Sequence, residues 1–86
     1  MAATDAPSDP RSLAEYLVRE LVDAPDAVVV REDRGPEGLV LRVEVAEADR
    51  GKVIGRQGRV VRALRTIVRA AGVRSGERIH LEIDTD

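Results

Sequence analysis

This chain of 86 residues has no cysteine, no phenylalanine and no tryptophan, and it has one tyrosine and one histidine. Without cysteine it can form neither disulfides nor thiolate metal sites. With a single aromatic ring, its core must be packed by valine, leucine, isoleucine and alanine. Apolar residues make up 43% of the chain and charged residues 35%, which is typical of a folded domain with a solvated surface and not of a disordered chain.

Long apolar runs are also missing. No stretch of about eighteen apolar residues occurs, and the N-terminus lacks a basic start followed by an apolar run. We therefore expect a cytoplasmic protein with no membrane contact. The first eight residues are small and polar without periodicity, so we predict a flexible tail over residues 1–8 and a single domain over residues 9–86.

The first half of the chain predicts one helix and a hairpin. Asp9 followed by proline is typical of a helix N-cap and first helical position, and the apolar spacing predicts a helix from there to about residue 24. The β-branched run within residues 27–34 predicts a strand. Turn residues at 35–38 and alternating apolar residues at 39–45 complete an antiparallel hairpin, with a loop longer than the two-residue minimum.

The second half predicts two helices and a last strand. Asp49 is a candidate cap for a brief helix that stops at Gly55. A long helix is expected over residues 59–71, closed by Gly72, and a strand with one buried face over residues 78–84. The order α-β-β-α-α-β predicts an α+β domain of two layers, with the helices on one face of a three-stranded sheet.

Acidic residues are absent from one long stretch. Between Arg50 and Arg74 there are seven arginines and one lysine, a local formal charge of +8. The rest of the chain holds six basic and all sixteen acidic residues, a formal charge of −10, so the total of −2 conceals two oppositely charged parts. On the predicted long helix, apolar residues share one side and the opposite side carries Arg59, Arg62, Arg65 and Arg69. This asymmetry predicts a polyanionic partner.

Two glycines three residues apart, Gly55 and Gly58, separate the two helices of the basic stretch and bracket Arg56 and Gln57. Glycine adopts backbone angles closed to other residues and lets another backbone approach closely. A tight connection at this point ends one helix and exposes the N–H groups at the start of the next, which attract anions, phosphate above all. The alternative interpretation is an ordinary helix–helix turn.

The residues around these glycines resemble the KH-domain signature. An apolar pair, Val53-Ile54, precedes the G-x-x-G sequence from Gly55 to Gly58, and the apolar residue Val61 follows three positions further on. The predicted element order is similar to the type II (prokaryotic) KH arrangement. The loop between two helices, after a hairpin and before a last strand, is a much more specific resemblance than two spaced glycines alone.

Two further segments indicate which group of KH domains the chain resembles. A stand-alone domain of this size, with Asp-Ala-Pro-Asp at residues 23–26 and Gly-Lys-Val-Ile-Gly at residues 51–55, is similar to the small bacterial KhpA family. The resemblance covers residues 9–84, nearly the whole chain. It implies a type II KH domain that binds RNA and is not an enzyme.

The resemblance also implies which residues bind single-stranded RNA. In KH domains the G-x-x-G loop clamps the backbone of about four single-stranded nucleotides, whose bases lie in a narrow apolar groove. By position, the loop would contact phosphate and sugar, the apolar pair would form groove floor and core together with Val43 or Val45, and the basic flank would guide the strand. The residues so implied are Lys52, Val53, Ile54, Gly55, Arg56, Gln57, Gly58, Arg59, Val61 and Arg62.

Partners and roles follow from the same resemblance. It implies an RNA chaperone or post-transcriptional regulator that forms a homodimer, or a heterodimer with a larger RNA-binding protein carrying its own KH domain. The alternative is a protein-interaction or dimerisation module in which the basic helix docks an acidic partner. His80 is alone on the outward phase of a strand, and no nucleophile has a base beside it, so we expect no catalytic residues, no metal and no cofactor.

Overall fold

The computed structural model describes residues 9–84, and the tail predicted over residues 1–8 lies outside the described residues. Within this range the helices and strands follow the predicted order α-β-β-α-α-β, which confirms the α+β architecture. Their bounds are α1 Pro10–Leu21, β1 Val29–Gly35, β2 Gly38–Glu44, α2 Arg50–Ile54, α3 Arg59–Ser75 and β3 Ile79–Ile83. Single 3₁₀ turns lie at Pro25–Ala27, Glu47–Asp49 and Arg56–Gly58.

Helix α1 begins as its sequence predicts and ends earlier. The Asp9 carboxylate accepts a hydrogen bond from the Ser12 N–H at 3.0 Å, which satisfies one of the free amides of the first turn. The helix ends at Leu21, three residues before the predicted end. A long-range contact accompanies the early end, because the Ala24 N–H donates to Asp49 Oδ2 at 3.1 Å instead of continuing the helix.

The sheet is mixed, in the order β1-β2-β3. Strands β1 and β2 are antiparallel, and their register places Gly35 opposite Gly38. The hairpin loop is therefore two residues long, Pro36 and Glu37, and the prediction of a longer loop is wrong because both strands continue to the glycines. Strand β3 lies parallel to β2, with Ile79 opposite Leu39, so the chain crosses over through α2 and α3 before it rejoins the sheet.

All three helices cover one face of the sheet, as predicted. Alternate residues of the strands point toward the helices and are buried, whereas their neighbours on the other face are exposed or half-buried. The core formed between the two layers is aliphatic throughout. It contains Ala14, Val18, Val28, Val30, Leu39, Leu41, Val43, Val53, Val61, Leu64, Val68, Ile79 and Leu81.

Helix α3 is longer than predicted. It continues through Ser75 and closes at Gly76, which has φ 75° and ψ 21°. Gly72, the predicted closing residue, is a buried helical position at which an added Cβ would lie 2.6 Å from Ile79 Cγ1 and 2.7 Å from the Glu77 carbonyl oxygen. The glycine is required there because the strand approaches the helix closely, so the prediction of a helix end was wrong.

The outer face of the sheet carries ion pairs between neighbouring strands. Arg31 pairs with Glu44 at 2.9 Å, and Arg42 pairs with Asp33 at 2.7 Å and with Glu82 at 3.0 Å. Strand β1 is an edge of the sheet and bears four consecutive charged residues, 31–34. Arginines on this face are therefore neutralised by carboxylates beside them.

Candidate functional site

The Gly55–Gly58 loop joins α2 to α3 at the surface. Arg56 and Gln57 are exposed at its tip, and the two glycines are half-buried beneath them. The Gly55 N–H donates to the Gly51 carbonyl at 2.8 Å, and the Gly58 N–H donates to the Gly55 carbonyl at 3.1 Å. The loop is thus a closed, hydrogen-bonded turn that presents an arginine and an amide side chain to solvent.

The two glycines of the loop are required for different reasons. Gly55 has φ 78° and ψ 169°, a region that is essentially restricted to glycine. A Cβ at Gly55 would also lie 2.8 Å from the backbone nitrogen of Val60. Gly58 has φ 73° and ψ 18°, and a Cβ there would meet nothing closer than 3.9 Å. Gly55 therefore meets both a conformational and a packing requirement, and Gly58 a conformational one.

Gln57 is the one described residue other than glycine with a positive φ, at φ 57° and ψ 26°. Its carbonyl oxygen accepts a hydrogen bond of 2.6 Å from Nη2 of Arg62, one turn into α3. No side chain caps the N-terminus of α3. The loop therefore has two left-handed residues in succession, Gln57 and Gly58, and a guanidinium bound to the carbonyl of the first.

Arginines of the loop and of α3 differ from the other basic residues in their pairing. Among residues 9–84, six of them have no carboxylate within ion-pairing distance: Arg56, Arg59, Arg62, Arg65, Arg69 and Arg74. Outside the basic stretch, five of the six basic residues do form ion pairs: Arg11, Arg19, Arg31, Arg34 and Arg42. Uncompensated positive charge is thus concentrated on one loop and one helix.

The individual arginines of α3 do not share one environment. Arg59 and Arg69 are exposed, whereas Arg65 is half-buried and its Nε donates to the Leu81 carbonyl of β3 at 3.0 Å. Arg65 therefore joins the helix to the edge strand β3, and it does not lie on the solvent side that the helical wheel predicts. The wheel fails there because α3 packs beside an edge strand whose carbonyl groups remain available.

Lys52 has carboxylate partners within the protein. Its ammonium group forms an ion pair with Asp23 and lies 3.5 Å from Asp49 Oδ1. The hydrogen bond to the Asp23 carboxylate, with the charges of both carboxylates, raises the pKa of Lys52 above its ordinary value. The positive charge that the sequence places before the loop is therefore directed at the α1–β1 connection.

Asp49 is the one charged residue among those described that is buried, at 2% exposure. Burial by itself raises the pKa of its carboxyl, but hydrogen bonds from the N–H groups of Asp23 and Ala24 and the charge of Lys52 outweigh it, so the pKa lies below its ordinary value. Its side chain does not cap α2, contrary to the prediction. It anchors the start of α2 to the α1–β1 connection, a role for which the sequence carries no signal.

The apolar residues predicted for the site divide between core and surface. Val53 is fully buried at 0% exposure and Val61 is 7% exposed, so both support the loop from beneath. Ile54 is half-buried and packs against the same core. Val45 is half-buried as well, whereas Val43 is fully buried. Ile54 and Val45 are accordingly the two of these residues that remain partly exposed.

Two other kinds of site receive no support from the described residues. No cluster of three His, Asp or Glu side chains within 9–84 could hold a metal ion, and His80 is exposed on the outer face of the sheet. None of the helices in that range is long and apolar enough to cross a membrane.

The family model for the KhpA/KhpB KH domain matches residues 11–83. The chain belongs to the KhpA/KhpB KH-domain family. RNA-binding protein KhpA of Aquifex aeolicus is 47% identical over 73 residues, which cover 85% of this chain and 92% of that protein. The KhpA family resemblance inferred from the loop and the element order is thereby confirmed.

Two more relatives have the same printed name. RNA-binding protein KhpA of Clostridium acetobutylicum is 44% identical over 73 residues, covering 85% of this chain and 97% of that protein. RNA-binding protein KhpA of Bacillus subtilis is 44% identical over 71 residues, covering 83% and 88%. Because the KhpA/KhpB family is non-enzymatic, the prediction that the chain is not an enzyme is also confirmed.

A solved structure shares the fold at lower sequence identity. A crystal structure of an Era variant from Aquifex aeolicus, bound to GDP and AlF4⁻, superposes with a TM-score of 0.59 at 19% identity. The match covers 93% of this chain and 31% of the Era chain. At that identity the likeness concerns the fold alone.

Proposed function

We propose that this chain binds single-stranded RNA through the Gly55–Gly58 loop and the N-terminal half of α3. The observation that carries the proposal is the pairing pattern of the arginines: those of the loop and α3 have no carboxylate partner among the described residues, whereas five of the six basic residues outside the basic stretch do. Exposed guanidinium groups without partners attract phosphate and release its counterions. The printed name of the relatives, RNA-binding protein KhpA, supports RNA as the polyanion.

The loop would contact the sugar–phosphate backbone. Arg56 and Gln57 are exposed at its tip, where they supply a charge and an amide for hydrogen bonds to phosphate and sugar. The amides of Gly55 and Gly58 are already bonded within the protein, so backbone donors would come from Arg56 and Gln57. Arg59 and Arg62, in the first turn of α3, would guide the strand toward the loop.

Base contacts would be apolar and weakly selective. Ile54 is the half-buried member of the apolar pair, and Val53 and Val61 fix its position from within the core. Lys52, held by Asp23 and Asp49, would contribute mainly to the local field. Phosphate contacts carry no sequence information, so a site of this kind binds many RNA sequences with similar affinity.

Such a site suits an RNA chaperone or post-transcriptional regulator that acts on many RNAs in the cytoplasm. The family model spans KhpA and KhpB, which supports a homodimer or a heterodimer with a larger KH-domain protein. A second weakly binding surface tethered nearby would raise the overall affinity by effective concentration, without any new contact within this chain.

The test replaces the two exposed loop residues with acidic ones. In the variant Arg56→Asp/Gln57→Asp we expect the affinity for a single-stranded RNA oligonucleotide to fall at least tenfold, because a phosphate-binding tip becomes anionic. A matched control is Arg74→Asp/Ser75→Asp, which makes the same change of charge in the last turn of α3, about 22 Å along the helix from Arg59. Affinity is measured by fluorescence anisotropy and folding by circular dichroism.

The control variant should bind RNA nearly as well as the unmodified chain. Equal losses in the two variants would indicate a general charge effect and not a site at the loop. Unchanged affinity of the loop variant, with its fold intact, would refute the proposed RNA site.

A protein-interaction function has one observation in its favour. Ile67 and Val73 are 44% and 74% exposed on α3, the helix that also carries the arginines without carboxylate partners. In this alternative, α3 docks an acidic protein surface or a second copy of the chain. This alternative predicts that the variant Arg56→Asp/Gln57→Asp binds its protein partner as well as the unmodified chain does, because Arg56 and Gln57 lie outside the helix.

A further inference from the structure

The conformation of the loop has a cost that its own residues do not offset. Gln57 and Gly58 both have left-handed backbone angles, at φ 57° and φ 73°. Glycine adopts this conformation freely, but a residue with a Cβ is disfavoured there. Gln57 thus needs a stabilising contact from elsewhere if the loop is to keep one conformation in solution.

Arg62 supplies that contact. Its Nη2 donates to the Gln57 carbonyl oxygen at 2.6 Å, and the same nitrogen lies 3.9 Å from the point where a Cβ on Gly58 would be. The guanidinium therefore folds back over both left-handed residues. No side chain acts as an N-cap at this end of α3. Arg62 instead donates to the loop backbone from within the helix.

Arg59 provides a natural comparison. It lies in the same turn of α3 and is exposed, yet its side chain makes no hydrogen bond or ion pair with any residue in 9–84. The two arginines contribute the same charge near the loop. One of them is bonded to the loop backbone and the other is not, so their contributions can be separated.

We propose that Arg62 is a positioning residue that holds the Gly55–Gly58 loop in its binding conformation through the Gln57 carbonyl. The proposal rests on the proposed function, since the conformation is the one in which the loop would receive RNA. A loop already in the bound conformation binds more tightly, because apparent affinity falls in proportion to the fraction of molecules in the competent state. The remaining N–H groups of Arg62 stay available for phosphate.

The first test compares Arg62→Gln with Arg59→Gln. Each removes one positive charge from the same turn. We expect the affinity for a single-stranded RNA oligonucleotide to fall about tenfold more in Arg62→Gln, as for loss of one hydrogen bond from a charged donor. That excess should persist at 0.5 M salt, because loop ordering does not depend on counterion release, whereas the Arg59→Gln effect should shrink with salt.

A second measurement needs no RNA. Backbone ¹⁵N order parameters of Gln57 and Gly58 should be about 0.85 in the unmodified chain and in Arg59→Gln, and fall to about 0.6 in Arg62→Gln. Asparagine tolerates left-handed backbone angles better than glutamine does, so a loop with Gln57→Asn should depend less on the hydrogen bond from Arg62. Removing Arg62 should therefore cost less affinity in a Gln57→Asn background than in the unmodified chain.

The outcomes separate the two proposals. If the unmodified chain does not bind RNA, the proposed function fails, and the order parameters still decide whether Arg62 holds the loop. If the loop stays rigid in Arg62→Gln and the two arginine variants lose the same affinity at every salt concentration, Arg62 acts only through its charge and the positioning role is wrong.

Discussion

At the scale of single residues, the two glycines of the loop should respond differently to the same substitution. Gly58→Ala should cost about 1 kcal/mol of folding free energy, because a residue with a Cβ is disfavoured at left-handed angles even where the Cβ meets no clash. Gly55→Ala should cost about 3 kcal/mol or more, because its backbone region is essentially closed to alanine and the new Cβ would collide with Val60. Urea unfolding monitored by circular dichroism measures both.

Gly51→Ala is the control for this comparison, since Gly51 is helical within α2 and a Cβ there meets nothing within 4 Å. It should stabilise the protein by about 0.5–1 kcal/mol. Equal costs at Gly55 and Gly58 would contradict the close approach of Val60 to the loop.

The sequence predicts which residues form the loop but not how they are bonded. Two spaced glycines and a basic flank suffice to place Arg56 and Gln57 at an exposed tip. The ion pair of Lys52 with Asp23, and the contact of Arg65 with the Leu81 carbonyl, join residues far apart in the chain. Such contacts depend on how α1 and β3 pack beside the basic stretch, which side-chain periodicity does not encode.

At the scale of elements, Asp49 links the start of α2 to the α1–β1 connection. In the folded protein, the pKa of the Asp49 carboxyl lies below its ordinary value of 3.8. The Asp49 carboxylate therefore stabilises the fold fully above about pH 4, and this stability is lost as pH falls through the folded pKa. Asp49→Asn should have a lower free energy of unfolding than the unmodified chain at pH 7. The difference between the two free energies should disappear as pH falls below 4. Urea midpoints at pH 7, 5, 4 and 3 test this.

Asp26→Asn controls for the loss of one negative charge, because Asp26 is exposed in the same connection. It should change the urea midpoint little at pH 7. A constant difference between Asp49→Asn and the unmodified chain at every pH would show that the carboxylate charge of Asp49 contributes nothing.

Elements with local signals are predicted well, and their ends less so. The Asp9 cap, the hairpin and the amphipathic pattern of α3 each appear in the sequence at the position where the structure has them. Gly72 was misleading because a glycine in a helical pattern fits two explanations, a helix end or a close contact. Only the position of β3 against α3 distinguishes them, and that position is a tertiary property.

At the scale of the whole molecule, the separation of charge predicts how salt affects binding. A single strand contacted at three or four phosphates should give a slope of about −2 to −3 for log affinity against log salt concentration. Arg59→Gln should reduce the magnitude of this slope by about 0.7, the contribution of one phosphate contact on a single strand. Anisotropy titrations between 50 and 300 mM salt measure the slopes, with Arg74→Gln as the control that should leave the slope unchanged.

A slope near zero would indicate that apolar contacts dominate and that the arginines without carboxylate partners contribute little to RNA affinity. The acidic remainder of the chain also sets a limit. Because it repels RNA away from the loop, lengthening the oligonucleotide beyond the loop face should add little to the slope.

The four consecutive charged residues of β1 have a consequence for self-association. An edge strand with free N–H and C=O groups can recruit a strand from a neighbouring molecule, and closely spaced charges oppose such pairing. Two copies of this chain therefore have no favourable route to a continuous sheet through β1. Strand addition between two copies would accordingly have to use β3, the other edge of the sheet.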